Sequence, residues 1–248
     1  MTHRKLVIIP TYKEKENIVD MIQTVMGLDG DFELLVIDDA SPDGTSKLVK
    51  QQQDIFKDRL HLIQRSGKLG LGTAYITGFK WALNHGYDYI FEMDADFSHN
   101  PNDLIHLYEA CANEGFDMAI GSRYITGVNV VNWPIGRVLM SYFASVYVRF
   151  ITGLPINDAT AGFKCYHRSV LAGIQLDEIK FIGYAFQIEM KFTAWKLGFK
   201  IKEVPIIFTD RTKGTSKMSK GIFKEAVFGV IWMKLKSIFS PYKLNQSV

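Results

Sequence analysis

Two carboxylates separated by one small residue, Asp94-Ala95-Asp96, follow the apolar run Tyr89, Ile90, Phe91, Glu92, Met93. If that run is a strand, Asp94 and Asp96 leave its end on the same side of the chain. Side-by-side carboxylates repel unless positive charge neutralises them. A hard divalent cation, Mg²⁺ or Mn²⁺, does this well, because it takes oxygen ligands and fills its remaining positions with water or phosphate oxygens. Taken alone, the pair is equally a solvated loop after a strand, because so short a motif is common. The surrounding elements decide its weight.

Residues 5–10 read as a buried strand stopped by Pro10, and residues 16–26 as a helix with Ile18, Met21, Ile22 and Val25 at helical spacing. A second buried strand covers 34–39. Ser41-Pro42-Asp43-Gly44-Thr45 is a turn, and Asp43 or Thr45 can cap the helix after it. A third strand at 60–63, a glycine-bearing loop at 67–72 and a helix at 73–84 precede the strand that carries Asp94 and Asp96. Pro101 opens another helix, and 118–120 is a fifth strand. This alternation predicts an open, mostly parallel α/β sheet, in which ligands bind at the carboxyl ends of the strands. Polar residues collect at those ends: residues 10–14, Asp38-Asp39, 65–72 and 94–96. Their convergence points to a nucleotide site with a metal.

The 248 residues carry a net charge of +3 and 47% apolar residues, which excludes a disordered chain. Residues 211–248 hold eight Lys/Arg and one acid, Glu225, so this end is strongly basic and the rest is acidic. Such a tail suits an anionic partner such as phosphate or a membrane surface. No nucleic-acid groove-reading motif accompanies it, and no nucleic-acid partner is expected. Residues 134–152 and 222–239 are amphipathic, aromatic-rich helices with uncharged middles at 138–148 and 226–233, too short to span a bilayer. They are core helices or helices lying in a membrane interface, with Lys224, Lys234, Lys236 and Lys243 near anionic headgroups. Cys111 and Cys165 are far apart in the chain and are expected to be free thiols.

The ordered set of segments resembles a family-2 glycosyltransferase of the A-type fold. It comprises Pro10-Thr11-Tyr12-Lys13-Glu14, Asp38-Asp39-Ala40-Ser41-Pro42-Asp43-Gly44-Thr45, Gly67-Lys68-Leu69-Gly70-Leu71-Gly72, Asp94-Ala95-Asp96-Phe97-Ser98-His99 and Gly121-Ser122-Arg123-Tyr124. Later segments are similar to the dolichyl- or polyprenyl-phosphate mannosyltransferases. These are Gly136-Arg137 with Ser141, Asn157-Asp158-Ala159-Thr160-Ala161-Gly162-Phe163, Gly183-Tyr184 with residues 186–190, and Asp210-Arg211 with Gly214, Ser216 and Lys217. Lys164 stands where Arg is common and Ala161 where Ser is common, and neither is assigned a role.

The resemblance implies a catalytic domain over residues 1–220, its donor and metal half at 1–120 and its acceptor half at 121–220, with residues 221–248 an interface helix and tail. It implies that Pro10, Tyr12, Glu14, Ile37, Asp39, Asp94, Ala95, Asp96, Arg211 and Lys217 hold the donor, GDP-mannose. Asp96 and Ser98 would hold Mg or Mn. Arg123, Arg137 and Ser141 would take the phosphate of a dolichyl or polyprenyl phosphate. Asp94, Asp96, Arg123 and Arg211 would be the catalytic set. It further implies an inverting transfer by a peripheral protein on the cytoplasmic side of a membrane, with a small membrane-protein partner in some relatives.

The residues themselves agree on one point of mechanism. A hydroxyl acceptor needs a general base, and no strong candidate stands in the middle of the chain, whereas an ionised phosphate needs only cations that place it. Glucosyl transfer from UDP-glucose to the same lipid, a hydroxyl-acceptor glycosyltransferase and a non-catalytic nucleotide-sugar binder remain open on the sequence.

Overall fold

The structure is a computed structural model that describes residues 3–211, 213 and 221–245, with no side-chain description at 184 and 221–226. Its strands are β1 (Lys5–Thr11), β2 (Phe32–Asp38), β3 (Leu60–Gln64), β4 (Tyr89–Glu92), β5 (Met118–Ser122), β6 (Val130–Val131), β7 (Lys164–His167), β8 (Ile201–Pro205) and β9 (Phe208–Thr209). Its α-helices are α1 (Ile18–Met26), α2 (Thr45–Phe56), α3 (Leu71–Asn84), α4 (Asp103–Ala112), α5 (Ile135–Thr152), α6 (Arg168–Gly173), α7 (Tyr184–Lys196) and α8 (Gly221–Phe239).

Seven strands form one sheet in the order β3-β2-β1-β4-β7-β5-β8, and β6 pairs with β9 beside it. The expected alternation over the first 120 residues is present, and β1 to β4 run parallel because each crossover is a helix. Such a sheet is covered on both faces, so the middles of β1 and β2 are apolar on both sides. Alternate residues go to opposite faces. Leu6 and Ile8 join α3, α6 and α7 in one core layer, and Val7 and Ile9 join α1, α2 and α4 in the other. Helix α3 lies very close to the sheet at Gly78. A Cβ there would stand 2.8 Å from the Ile8 side chain, so no larger residue fits without displacing the helix.

The second half supplies β7 and β8, which the sequence pattern does not announce. β7 inserts antiparallel between β4 and β5, so residues from both halves share one sheet. Its first residue, Lys164, is wholly buried and pairs with Glu92 at 3.0 Å. Glu92 also accepts from Tyr166 (2.6 Å) and Gln187 (2.8 Å), and Lys164 donates to Gln187 as well. Burial pulls the Lys164 ammonium pKa down, while the Glu92 charge opposes that shift. Removing one partner of such a buried pair costs about 3–5 kcal/mol. Lys164 is therefore a counter-ion beneath the end of β4, two residues from Asp94.

Helices α5 and α8 lie side by side, joined where the Tyr147 hydroxyl donates to the Val227 carbonyl at 3.0 Å. Among the described residues, no helix is long and apolar enough to cross a membrane. Each helix leaves a row of large apolar side chains exposed at helical spacing: Ile135, Leu139, Phe143, Val146 and Phe150 on α5, and Phe228, Ile231, Leu235 and Ile238 on α8. Phe150 is 86% exposed and Phe239, at the end of α8, 83%. A pair of core helices would have buried these rows.

Candidate active site

The donor-side residues expected from sequence gather at the carboxyl ends of β1 to β4. Asp38 is wholly buried and accepts from Thr11 Oγ1 (2.9 Å), Ser41 N (3.0 Å) and Ser41 Oγ (2.5 Å), which locks two strand ends together. Its neighbour Asp39 turns the other way. Both Asp39 oxygens receive Arg65, at 2.6 and 2.8 Å. Arg65 also donates to Thr73 Oγ1 (2.7 Å) and to the Gly70 carbonyl (3.2 Å), so it ties the glycine loop to β2. The ammonium of Lys68, from that loop, lies 5.2 Å from the Tyr12 ring centre, and Lys13 lies 5.6 Å from it. Pro10 and Tyr12 are half-buried, and Glu14 is buried, accepting from Asn17 at 3.0 Å. Ile37 is the least accessible of the described residues expected on the donor side. Its side chain is wholly buried in the core against Gly78.

Past β4, Ala95 packs into the core between Asp94, which is half-buried, and Asp96, which is buried. Asp96 accepts from the Ser98 amide at 3.0 Å and pairs with Arg211 at 2.8 Å. Burial and the nearby Asp96 charge push the Asp94 carboxyl up to about 7, with Arg211 opposing. This is the electrostatic condition that a divalent cation relieves. Among the described residues, no third His, Cys, Asp or Glu joins the pair as a metal-holding cluster. The donor set therefore fits Mg²⁺ or Mn²⁺ held through one or two carboxylates with substrate phosphate and water completing the shell. Ser98 is buried, and its carbonyl accepts from Thr209, which couples this loop to β9. Lys217 lies outside the described residues.

The acceptor-side residues come from β5, α5 and the loops around β9. Arg123 follows β5 and makes a two-point contact with Asp158, Nε and Nη2 each at 2.7 Å, while its own amide donates to the same carboxylate at 3.0 Å. Nη2 also reaches Thr160 Oγ1 at 2.9 Å. Tyr124, Trp133 and Phe208 surround this guanidinium at 5.1–5.6 Å. Burial disfavours ionisation of Asp158, but the charge and hydrogen bonds of Arg123 prevail and hold its carboxyl below the usual range. Arg137, in the first turn of α5, pairs with Asp210 at 2.9 Å and lies 4.1 Å from the Trp133 ring centre. Ser141, one turn on, faces the Tyr124 phenol. His99 stacks on Phe163 at 4.9 Å, and burial pushes its imidazole down to about 4, so it is neutral at pH 7.

Four Asp–Arg pairs thus surround the strand ends: Asp39–Arg65, Asp96–Arg211, Asp158–Arg123 and Asp210–Arg137. Sequence alone singles out three of these arginines and two of the aspartates as site residues. It misses Arg65, Asp158 and Asp210 as their counter-ions. Asp158 and Asp210 lie inside motifs noted above, but their partners are 35 and 73 residues away in sequence. Arginines held in this way can receive phosphate oxygens by exchanging one anion for another.

Residues 6–174 match the family model described as Glycosyl transferase family 2. The chain belongs to that family. It is 46% identical to polyprenol monophosphomannose synthase of Mycolicibacterium smegmatis over 92% of this chain and 86% of that protein. It is 44% identical to undecaprenyl-phosphate mannosyltransferase of Micrococcus luteus over 92% of each. Its fold matches glucosyl-3-phosphoglycerate synthase of Mycobacterium tuberculosis, solved with Mn²⁺, UDP-glucose and phosphoglyceric acid. The TM-score is 0.66 at 17% identity, covering 95% of this chain and 79% of that one. The mannosyltransferase PcManGT of Pyrobaculum calidifontis, solved with GDP-Man and Mn²⁺, matches with a TM-score of 0.60 at 16% identity, over 99% and 66% of the two chains. The architecture is the A-type glycosyltransferase fold, as the order of strand-end motifs implied.

Arg211 occupies Asp96, the carboxylate expected from sequence to hold the cation, so a cation bound there would have to displace it. Arg211→Ala should therefore bind Mn²⁺ about tenfold more tightly than the wild type when no nucleotide is present, measured by electron paramagnetic resonance titration. Unchanged or weaker Mn²⁺ binding would show that Arg211 does not occupy the cation's place.

Proposed function

We propose that this chain transfers mannose from GDP-mannose to a polyprenyl or dolichyl phosphate, with inversion at the anomeric carbon. One observation carries the choice of a phosphate acceptor. The acceptor side presents Arg123, Arg137 and Ser141, and the two carboxylates described there, Asp158 and Asp210, both hold arginines. Both are occupied by an arginine, and the carboxylate that does sit near neutrality, Asp94, is read as facing the donor. Asp158 is also held in its ionised form by Arg123, far from the near-neutral pKa that suits a general base. An ionised phosphate monoester has no proton to lose and needs placement alone. The names of the 46% and 44% identical relatives support the same acceptor class and the mannosyl group.

In the proposed reaction, a phosphate oxygen of the lipid attacks the anomeric carbon. The bond from that carbon to the donor diphosphate breaks, and GDP leaves with the electron pair. A divalent cation on Asp96, when bound, neutralises the diphosphate. Arg211, exchanged from Asp96 to phosphate, adds positive charge where negative charge develops. Tyr12 and Asp39, with Arg65 behind it, hold the nucleoside. Asp94 faces the ribose or sugar phosphate. Arg123 and Arg137 aim the acceptor phosphate for in-line attack, and Ser141 donates to it. Because the attack is a single displacement, the configuration inverts.

The exposed rows of α5 and α8 would seat the protein on the cytoplasmic face of a membrane as a peripheral protein. Lys234 points inward, donating to the Thr152 carbonyl at 3.4 Å, and Lys236 is half-buried beside Trp232, so apolar contact would carry most of this attachment.

Arg137→Ala should raise the KM for polyprenyl phosphate about tenfold while the Kd for GDP with Mn²⁺, by calorimetry, stays within about twofold. Loss of GDP binding with unchanged acceptor use would reverse the assignment. The double variant Phe143→Glu, Phe150→Glu should no longer co-sediment with anionic lipid vesicles while keeping its unfolding temperature. Undiminished sedimentation would remove α5 from the contact.

A further inference from the structure

Glu203 lies in β8, the edge strand, opposite Ile120 of β5. Its carboxylate gathers four hydrogen bonds, none of which belongs to the sheet. Oε1 accepts from Ser122 Oγ at 2.7 Å and from the Asp158 amide at 2.9 Å. Oε2 accepts from the Asn157 amide at 2.7 Å and from Asn157 Nδ2 at 2.9 Å. All four donors lie next to Arg123 in the chain or in its counter-ion loop. Ser122 precedes Arg123, and Asp158 makes the two-point contact with its guanidinium. Asn157 in turn accepts from Arg149 of α5 at 3.0 Å, so the same turn is tied to the helix that carries Arg137 and Ser141.

We propose that Glu203 is a positioning residue for the acceptor phosphate. It fixes the turn at Asn157 and Asp158 against Ser122, and so sets the plane in which Asp158 holds Arg123. The claim rests on the reading above that Arg123 receives that phosphate. The chemistry requires a carboxylate. Asparagine's amide, two backbone amides and a serine hydroxyl all point at position 203, and only a group that accepts at both oxygens serves them all. Glutamine has nearly the same shape, but its NH2 would face N–H or O–H donors on one side of the cluster. The turn would then lose one or two of its anchors, and a two-point Arg–carboxylate contact is sensitive to small rotations.

The test is Glu203→Gln, read in two ways. The first is the ¹H–¹⁵N signal of the Arg123 Nε–H, which the Asp158 bond shifts and protects from exchange. The Arg65 Nε–H, bonded to Asp39, is the internal control. The second is steady-state kinetics with a short polyprenyl phosphate, alongside calorimetry with GDP and Mn²⁺. The expected result is a moved and faster-exchanging Arg123 signal, an unchanged Arg65 signal, an acceptor KM raised about tenfold and an unaltered GDP Kd. An unmoved Arg123 signal would overturn the positioning role, whatever the kinetics. A moved signal with unchanged acceptor KM would instead overturn the assignment of Arg123 to the acceptor phosphate, leaving Glu203 as its anchor only. If Glu203→Gln does not fold, Ser122→Ala removes one of the four bonds. The same readouts should then move in the same direction by a smaller factor, and no movement in either would overturn the proposal.

Discussion

Carboxylates gathered around the strand ends repel one another unless hydrogen bonds or positive partners compensate them, and this constraint shapes the whole site. Asp39, Asp96, Asp158 and Asp210 each hold an arginine from another element. These bonds do two jobs. They neutralise carboxylates around the strand ends, and under the proposed function they hold cations ready for anionic substrates. Binding then becomes an exchange of partners, with less desolvation than exposing bare arginines would require. Asp94 is the carboxylate that this arrangement leaves under-compensated. Burial and Asp96 raise it to about 7 even with Arg211 nearby, which marks the place where additional positive charge is stabilising.

The acceptor side follows from the same logic. Arg123 is fixed from behind by Asp158, and Asp158 by a turn that hangs from Glu203. Arg137 and Ser141 lie in the first half of α5, which also carries the exposed row Ile135, Leu139, Phe143, Val146 and Phe150. One helix therefore offers a cation near its beginning and apolar surface along its length. That combination fits a ligand with a phosphate head and a hydrocarbon tail, and fits it better than a free sugar.

Much of this was readable in the sequence, for physical reasons. Buried parallel strands are short runs of apolar residues, so β1, β2 and β4 stand out, and the helices between them show their period. The polar groups at the strand ends stand out because no core explains them. β7 and β8 were not readable. Lys164-Cys165-Tyr166-His167 and the stretch Ile201-Lys202-Glu203-Val204-Pro205 carry charges that a strand pattern does not predict, and Lys164 and Glu203 find their partners only in the folded chain. Arg65 was likewise hidden. Its contact with Asp39 depends on the register of β2 with β3, where Asp38 faces Gln64. Arg123 stood out in its motif, but its tie to Asp158 was not legible. The burial of the Ile37 side chain was not legible either, because its place in a motif said nothing about which way it points.

The most direct measurement uses the purified protein, Mn²⁺, a short polyprenyl phosphate and either radiolabelled GDP-mannose or radiolabelled UDP-glucose. The account predicts that label from GDP-mannose alone moves into an organic-soluble product that mild acid releases as mannose, and that Asp96→Ala abolishes the transfer. Transfer from UDP-glucose in preference to GDP-mannose, or no transfer to lipid phosphate from either donor, would contradict it.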